Sequence, residues 1–329
     1  MPANLPPQYL EAEKVYRQAK SAAEKLEALE TMLAVMPKHK GTDHLRAELR
    51  TRMARLTRDA ERQAGGAARV QLYAVPKEGA GQVALVGLPN TGKSQLLAAL
   101  TGASPKVADY PFTTQLPQPA MMPVENVQVQ LVDLPPLIGE ATPPWQRALM
   151  RQADVLLLVI DAGQDPLTEW ATLREDLPNV RILPVAPGSE PDETEGVVPK
   201  KTLLVATRAD LPQASENLEL LALDVGDRLP IVPVSGVTGL GLELLKQRVF
   251  SALDVIRVYT KPPGKPADRT KPFVLERGST VDDLADAIHR QMKTKLRYAV
   301  LWGASGKFSG QRIGRSHVLE DEDVVELYA

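Results

Sequence analysis

The sequence predicts an α/β protein in three parts: a helical hairpin over residues 1–66, a domain with a mostly parallel sheet over residues 67–256, and a small β-grasp domain over residues 257–329. Three observations support this prediction. Apolar residues recur at helical spacing near the N-terminus. Strand and helix patterns then alternate around a glycine-rich loop, which is typical of a parallel sheet that binds its ligand at the carboxyl edge. The last part reads as strand, turn, capped helix and two further strands.

The charge is unevenly distributed along the chain. The 329 residues are 43% hydrophobic, which is enough for buried cores, and the formal net charge is −2. The first and third parts carry more basic than acidic residues, whereas the middle part is acidic. A polyanionic partner is therefore expected to contact the ends of the chain.

Several classes of protein are disfavoured by what the sequence lacks. It has no cysteine, no basic-then-apolar leader and no apolar run approaching eighteen residues. We expect a soluble, cytoplasmic protein without a membrane partner and without DNA specificity. The four histidines are scattered, and no metal is assigned to them.

The N-terminal part predicts two helices. A narrow apolar seam runs from Val15 to Met36, and a second helix follows the cap Thr42-Asp43. The second helix is basic. Two interpretations fit this charge: the helix binds RNA or the ribosome, or its basic face is simply exposed to solvent. Charge alone favours the solvent-exposed face, and binding to RNA or the ribosome is the functional alternative.

A glycine-rich loop separates a strand pattern from a helix pattern. The segment Gly87-Leu-Pro-Asn-Thr-Gly-Lys-Ser94 follows the apolar run 83–86 and precedes a helix that begins near Lys93. Its glycines let backbone N–H groups turn inward, and the helix adds its positive dipole end, so the loop is predicted to hold phosphates. Lys93 would reach the terminal phosphates, and Ser94 would ligate magnesium. A chance match is disfavoured because the strand and the helix are both present.

Later segments add groups to the same edge of the sheet. Phe112-Thr-Thr114 lies in a proline-rich loop, where a threonine would reach magnesium and the γ-phosphate. The strand Val127–Asp133 ends in a carboxylate that would hold magnesium through water. In Thr207-Arg-Ala-Asp210, the carboxylate can accept hydrogen bonds from N1–H and the 2-amino group of guanine, a pair of donors that adenine lacks. Arg208 would lie along the base, and Ser235-Gly236 would contact the guanine carbonyl.

These motifs resemble the Obg-like translation-factor GTPases. The segments that carry this resemblance are Gly87–Ser94, Ala108–Thr114 and Asp133–Glu140; Met36–Leu49, Arg257–Pro262, Gly278–Val281, Tyr298–Gly303 and His317–Val325 resemble the developmentally regulated GTP-binding protein branch. The tail resembles the C-terminal TGS domain of that branch. The resemblance implies a GTPase that is associated with ribosomes or translation and activated by potassium. Our leading hypothesis is a slow GTPase switch that contacts the ribosome through its basic ends. A stabilising protein partner is a further candidate.

The resemblance also implies roles for individual residues. Ser94 and Thr114 would bind Mg²⁺ directly and Asp133 through water, and Asn90 would coordinate K⁺. Lys93, Thr114 and Asn90 would be the catalytic groups. The apolar Leu137 would replace the glutamine that orients water in related enzymes. The predicted contacts with GTP or GDP are Gly87, Pro89, Asn90, Thr91, Gly92, Lys93, Ser94, Gln95, Phe112, Thr113, Thr114, Asp133, Leu134, Pro135, Pro136, Thr207, Arg208, Asp210, Ser235 and Gly236.

The sequence departs from the family pattern in four places. Pro136 replaces a glycine and has no N–H for the γ-phosphate. Thr207-Arg208 replaces Asn-Lys, so we expect the bracing amide of the asparagine to be lost. Gly236 replaces an alanine, and the segment 162–200 is too short for the domain inserted in eukaryotic members. Pro136 motivates a second hypothesis, in which the protein binds guanine nucleotides as a scaffold but is catalytically impaired. A third hypothesis is an ATPase, which Asp210 disfavours.

The C-terminal part contains a basic segment. Residues 288–317 hold seven Lys and Arg and no Asp or Glu, interleaved with Tyr298, Trp302 and Phe308. Basic side chains neutralise phosphates, so the cluster favours RNA or ribosome binding. For the aromatic residues, a place in the strand core is favoured over base stacking.

Overall fold

The computed structural model describes residues 7–18, 25, 28–29, 31–32, 49, 52–53, 73–102, 117–189, 196–262 and 266–328. The chain divides into two compact units, one of residues 1–74 with 110–113 and the other of residues 75–109 with 114–329. The second unit contains both of the predicted later domains, and the boundaries predicted at residues 66 and 256 stay predictions.

The first unit contains helix α1 (Pro7–Gln18). The helix buries Tyr9 and Ala12 in a small cluster with Leu29, whereas Val15 is 56% exposed. The predicted seam was therefore wrong at Val15, because α1 turns a different set of positions inward. Most of the predicted hairpin lies outside the described residues. Of its basic second helix, only residues 49, 52 and 53 are described, and Leu49 is buried in the same cluster.

The second unit contains a sheet of seven described strands. They are β1 (Gln82–Gly87), β2 (Gln118–Val124), β3 (Val127–Asp133), β4 (Val155–Asp161), β5 (Ile182–Val185), β6 (Val198–Thr207) and β7 (Ile231–Pro233). Their order is β2-β3-β1-β4-β6-β5, and β7 pairs with the end of β6 beyond β5. Among these described strands, β2 and β3 form an antiparallel hairpin and the other pairs are parallel.

Helices cover both faces of this sheet. They are α2 (Lys93–Thr101), α3 (Pro144–Gln152), α4 (Pro166–Asn179), α5 (Ala214–Val225) and α6 (Leu242–Leu253). Side chains alternate between the faces of each strand, so Ala84 and Val86 of β1 join one core while Val83 and Leu85 join the other. Burial on both faces explains why the parallel strands read as continuous apolar runs.

The pattern of the sequence missed two elements of this domain. Strand β2 contains Pro119 and Pro123, which suppress a strand prediction, but β2 lies at the edge of the sheet, where proline is tolerated. Helix α5 was also missed. The predicted mostly parallel α/β fold is confirmed.

The second sheet has five described strands in the order β11-β10-β12-β8-β9. They are β8 (Val255–Thr260), β9 (Phe273–Glu276), β10 (Tyr298–Trp302), β11 (Gln311–Ile313) and β12 (Val324–Tyr328), and they pack with α7 (Val281–Ile288) and α8 (Arg290–Lys295). Thr280 and Asp283 form a capping box at the start of α7.

The aromatic residues of β10 face away from the core of this second sheet. That core contains Ala299 and Leu301, while Tyr298 and Trp302 are half-buried on the other face. Tyr298 stacks on Tyr328 with ring centroids 4.7 Å apart, and Lys261 Nζ lies 3.9 Å from the Trp302 ring. The predicted core position of the β10 aromatics was therefore wrong, because the strand alternation turns the small and branched residues inward.

Within the described residues, no helix combines the length and the apolar content that a membrane crossing requires.

Candidate nucleotide-binding site

Four neighbouring parallel strands end at one edge of the larger sheet. β1, β3, β4 and β6 end at Gly87, Asp133, Asp161 and Thr207. Because the strands are parallel and adjacent, these residues converge at the carboxyl edge, where α/β sheets bind ligands. The site is built around this edge.

The phosphate-loop segment needs both of its glycines. A Cβ on Gly87 would lie 2.4 Å from Val159 O, so only glycine lets β1 pass this close to β4. Gly92 has φ 84 and caps α2 in the left-handed region, which suits glycine. The loop therefore has the backbone turn that the sequence predicted.

Lys93 lies at the start of α2 and is largely buried. Its Nζ donates to Gly87 O at 3.2 Å and to Leu88 O at 2.7 Å, which holds the ammonium group inside the loop. Burial lowers the pKa of Lys93, while the carboxylates of Asp133 and Glu169 act in the opposite direction. The cation is thus placed where a phosphate would replace main-chain carbonyls as its partner.

Ser94 and Asp133 form the predicted magnesium pair. Ser94 Oγ donates to Asp133 Oδ2 at 2.6 Å, and Asp133 Oδ1 is buried with no hydrogen-bond partner among the described residues. Burial raises the pKa of the Asp133 carboxyl, opposed by the bond from Ser94 and by the charge of Lys93.

This pair fits a magnesium ion in its chemistry. Mg²⁺ prefers oxygen ligands and is commonly held by one or two protein oxygens together with phosphate oxygens. The Ser94 hydroxyl and the Asp133 carboxylate, whose Oδ1 is buried without a partner among the described residues, supply such oxygens beside the phosphate loop. No cluster of three or more His, Cys, Asp or Glu that would hold a metal without phosphates occurs in the described part of the chain.

A shallow cleft lies beside the phosphate loop, between the loops that follow β6 and β7. Its lining residues are Gly92, Gln95, Leu96, Thr207, Arg208, Asp210, Ser235, Gly236 and Val237. The structure therefore brings Asp210, Ser235 and Gly236 together, although they come from loops after two different strands. Leu96 and Val237 were not anticipated as cleft residues.

Thr207 holds the phosphate loop to the sheet. Its Oγ1 lies 2.8 Å from Thr91 O and 3.0 Å from Ile160 O, so the hydroxyl can donate to either carbonyl. The asparagine amide is absent here, and the Thr207 hydroxyl bonds to the main chain of the phosphate loop instead. The expected consequence of losing the amide stays a prediction. Thr91 itself is fully buried, and its own Oγ1 donates to Leu88 O at 3.1 Å, so both its main chain and its side chain hold the phosphate loop.

Arg208 links three parts of the site. Its guanidinium donates to the buried carboxylate of Asp161 at the end of β4 and, at 3.3 Å, to Asn90 O in the phosphate loop. Arg208 has φ 56, a left-handed backbone conformation that is uncommon for residues other than glycine. A strand-end carboxylate was the available sequence signal for Asp161, but Asp161-Ala-Gly163 was interpreted as a turn.

Glu169 is a second acidic residue that the sequence did not single out. It lies in the first turn of α4, and its Oε2 accepts a hydrogen bond from Asp161 N at 2.7 Å. Burial raises the pKa of Glu169, with Asp161 N–H acting against the shift. No local motif marks it, because its position depends on how α4 packs against β4.

The loop after β3 has no main-chain donor left between residues 134 and 138. Pro135 and Pro136 have no N–H, and Leu134, Leu137 and Ile138 donate to Leu85 O, Gly87 O and Thr142 Oγ1. The side chains of Leu134 and Leu137 are buried in the hydrophobic core. Both leucine side chains are therefore turned into the core and are not exposed to a ligand.

The remaining predicted contacts divide into two groups. Pro89 and Asn90 are exposed on the phosphate loop, and Asn90 has φ 67. Phe112, Thr113 and Thr114 lie outside the described residues. The roles assigned to them stay predictions.

Two family models match the chain. The model described as "50S ribosome-binding GTPase" matches residues 82–185, and the model described as "TGS domain" matches residues 256–329. The first range contains the phosphate loop and Asp133, and the second contains the smaller sheet.

Curated relatives match nearly the full chain. Developmentally-regulated G-protein 3 of Arabidopsis thaliana is 28% identical, over 92% of this chain and 98% of the relative. Ribosome-interacting GTPase 1 of Saccharomyces cerevisiae is 28% identical, over 93% of this chain and 99% of the relative. An uncharacterised GTP-binding protein of Halobacterium salinarum is also 28% identical, over 93% and 98%.

Solved structures match more loosely. The G domain of the Thermotoga maritima FeoB iron transporter is 27% identical, with a TM-score of 0.37 over 52% of this chain and 98% of that chain. Era in complex with MgGDPNP and a 16S ribosomal RNA fragment is 22% identical, with a TM-score of 0.39 over 67% of this chain and 70% of that chain.

The fold, the phosphate loop and the family models define the class: this is a P-loop GTP-binding protein with a C-terminal TGS domain. Within that class, the chain is similar over nearly its full length to relatives named developmentally-regulated G-proteins.

Proposed function

We propose that this protein is a guanine-nucleotide switch that hydrolyses GTP slowly and associates with the ribosome. One observation carries the nucleotide part of the proposal. The carboxyl edge of four parallel strands brings the Ser94–Asp133 pair, the Lys93 ammonium group and the Asp210 cleft around a single glycine-flanked loop. Phosphates, metal and base would thus be held by separate parts of the same edge.

Each group has a chemical role in this proposal. Lys93 would exchange its carbonyl partners for the terminal phosphates. Ser94 and Thr114 would hold Mg²⁺ directly and Asp133 through water. Asp210 would accept from the guanine N1–H and 2-amino groups. Asn90 would hold K⁺, which would supply positive charge beside the phosphates.

Wild-type protein is expected to bind GTP and GDP in Mg²⁺ at least 100-fold more tightly than ATP, because ATP leaves the Asp210 carboxylate without donors. Isothermal titration calorimetry with the three nucleotides measures the difference. Equal affinity for ATP and GTP would contradict the role proposed for Asp210. Absence of binding by all three would contradict the proposed function as a whole.

The loop of residues 134–138 favours a second candidate function, a guanine-nucleotide scaffold without turnover. Its described main chain offers no free N–H to a γ-phosphate. Phosphate release in potassium buffer and in sodium buffer separates the two candidates. Turnover that is faster in potassium supports the slow switch, and no turnover in either buffer supports the scaffold.

Support for ribosome association comes from a relative and from charge. The yeast relative is named a ribosome-interacting GTPase. In the predicted basic segment 288–317, Lys293 pairs with Asp286 at 3.3 Å and Arg315 pairs with Asp282 at 2.6 Å, so these two charges are partly neutralised inside the protein. Within the described segment 288–317, the exposed cations that form no ion pair with an acid are Arg290, Lys295, Arg297, Lys307 and Arg312. We place the RNA contact on these five.

Replacing Lys295 and Arg297 together by glutamine is expected to reduce ribosome co-sedimentation several-fold and to flatten its salt dependence by about two ions, because each would lose a phosphate contact. The matched control replaces Lys293 and Arg315 by glutamine, which removes the same net charge but only cations already paired with acids. Equal losses in the two variants would show that net charge, not this surface, decides the association.

A further inference from the structure

The β2–β3 hairpin spans the distance between the nucleotide site and the C-terminal domain. Its strands pair from Gln118↔Asp133 at one end to Val124↔Val127 at the other. Seven residues of extended chain cover about 20 Å. Asp133, the metal-site carboxylate, is thus at the open end, and the turn Glu125-Asn126 is at the far end.

The turn end of the hairpin projects beyond its neighbour in the sheet. β1 pairs with β3 only from Gln82↔Gln130 to Leu85↔Asp133, so residues 127–129 extend past β1. Gly79 forms an isolated β-bridge with Val129 there. The φ of Gly79 is 72, and Gln128 O leaves no room for a Cβ at this position. The described part of the larger sheet therefore supports the Asp133 end more fully than the turn end.

Arg257 of β8 holds the turn end from the C-terminal domain. Its guanidinium binds Glu125, and it makes a two-bond contact with Asp321 at 3.1 and 2.7 Å. Glu322 accepts at 3.2 Å, and the guanidinium lies 5.2 Å from the Phe250 ring of α6. The Arg257 side chain is only 9% exposed, whereas the side chain of its partner Glu125 is 66% exposed, so the guanidinium is held from inside and the turn is reached at the surface.

A second contact reinforces the first. Asn126 Nδ2 donates to the hydroxyl of Tyr259, also on β8, and the Arg257 guanidinium lies 3.4 Å from Asn126 Oδ1. Both turn residues are therefore bound by one strand of the C-terminal domain. Arg257 N in turn donates to Asp321 Oδ1 at 2.7 Å, which ties the β8 main chain to the loop before β12.

We propose that Arg257 is a positioning residue for the metal site: by holding Glu125 and Asn126, it sets the position of the hairpin that carries Asp133, so the C-terminal domain tunes Mg²⁺-dependent nucleotide binding. The inference rests on the proposed function of the nucleotide site. A paired strand is stiff along its axis, so a displacement of the turn reaches the carboxylate seven residues away. Coupling of this kind is reciprocal, so nucleotide with Mg²⁺ stabilises the contact between Arg257 and the turn in the same measure.

Glu125→Gln tests the inference with little risk to the fold, because the Glu125 side chain is 66% exposed and the substitution keeps its shape while removing its charge. The probe is a fluorescent GDP analogue titrated at a series of Mg²⁺ concentrations and in EDTA. The expected result is an apparent Mg²⁺ affinity lowered about fivefold, with GDP affinity in EDTA unchanged. Hydrogen exchange of the β3 amides is expected to be faster in the variant, a readout independent of any turnover.

Asp254→Asn is the matched control. Asp254 pairs with Arg277 at 2.7 Å close to β8 but does not contact the hairpin, and asparagine tolerates its φ of 59. This variant is expected to keep the wild-type Mg²⁺ dependence. The inference is overturned if Glu125→Gln leaves the Mg²⁺ affinity unchanged, or if it weakens GDP binding equally in Mg²⁺ and in EDTA. Failure of the wild-type protein to bind GDP at all would instead refute the proposed function.

Discussion

Gly87→Ala is expected to abolish measurable binding of GTP and GDP and to lower the free energy of unfolding by about 1–3 kcal/mol, the usual cost of forcing a methyl group into a packed site. The added Cβ would lie 2.4 Å from Val159 O and 3.1 Å from Thr91 Oγ1. The first neighbour is backbone of the central strand β4 and cannot turn away. Either β1 must separate from β4 or the phosphate loop must move, and both changes displace Lys93 from the position where phosphates would bind. Calorimetry with GDP and urea unfolding measure the two effects.

Gly236→Ala provides a control with the same chemical change. Its Cβ would meet Gln95 Cγ at 3.4 Å and other atoms at longer range, which is ordinary van der Waals contact. Since alanine is the residue that the family resemblance leads one to expect there, GDP affinity and stability should stay close to wild type. A loss at position 87 no larger than the loss at position 236 would contradict the close approach of β1 and β4.

Asp210→Asn is expected to lower GDP affinity by roughly 100-fold or more, because two hydrogen bonds from base N–H groups to a carboxylate are replaced by one bond and one donor–donor contact. The same change is expected to raise the affinity for xanthosine diphosphate. Xanthine carries a carbonyl where guanine carries its 2-amino group, so the asparagine amide gains an acceptor while its oxygen still accepts from N1–H.

The gain with xanthosine diphosphate separates base recognition from damage to the fold. A variant that merely unfolds binds neither nucleotide. A variant in which only the base contact has changed loses affinity for GDP and gains affinity for xanthosine diphosphate. Calorimetry with both diphosphates, in wild type and variant, gives the four affinities needed. Unchanged GDP affinity in the variant would remove Asp210 from the base site.

The parts of the site set by local sequence were predictable. The phosphate loop needs a strand, two glycines and a helix start, and all of these are written within residues 83–100. β3 alternates cleanly and ends at Asp133 as predicted. The carboxyl ends of neighbouring parallel strands meet at one edge of the sheet. Asp210 and Ser235 could therefore be assigned to one site from the sequence, and both line the cleft.

The parts that depend on packing across the sheet were not predictable. Nothing near Thr207 indicates that its hydroxyl reaches the main chain of Thr91, which lies 116 residues away. In the sequence, Glu169 is an acidic residue in the first turn of a helix like many others. Its hydrogen bond with Asp161 N depends on how α4 packs against β4. Strand β2 was hidden by its prolines, although its edge position makes them harmless. The inward and outward faces of β10 follow from its pairing, not from its composition.

The proline-rich turn after β3 affects how strongly the protein would prefer GTP over GDP. If the terminal phosphate of GTP gains no amide contact there, GTP loses the advantage over GDP that one or two charge-assisted bonds normally provide, about 1.5–3 kcal/mol each. Both nucleotides would then be held with comparable strength. Occupancy would follow their relative abundance. The fraction of protein that carries GTP would then reflect the cellular ratio of GTP to GDP more than the time since each GTP molecule was bound.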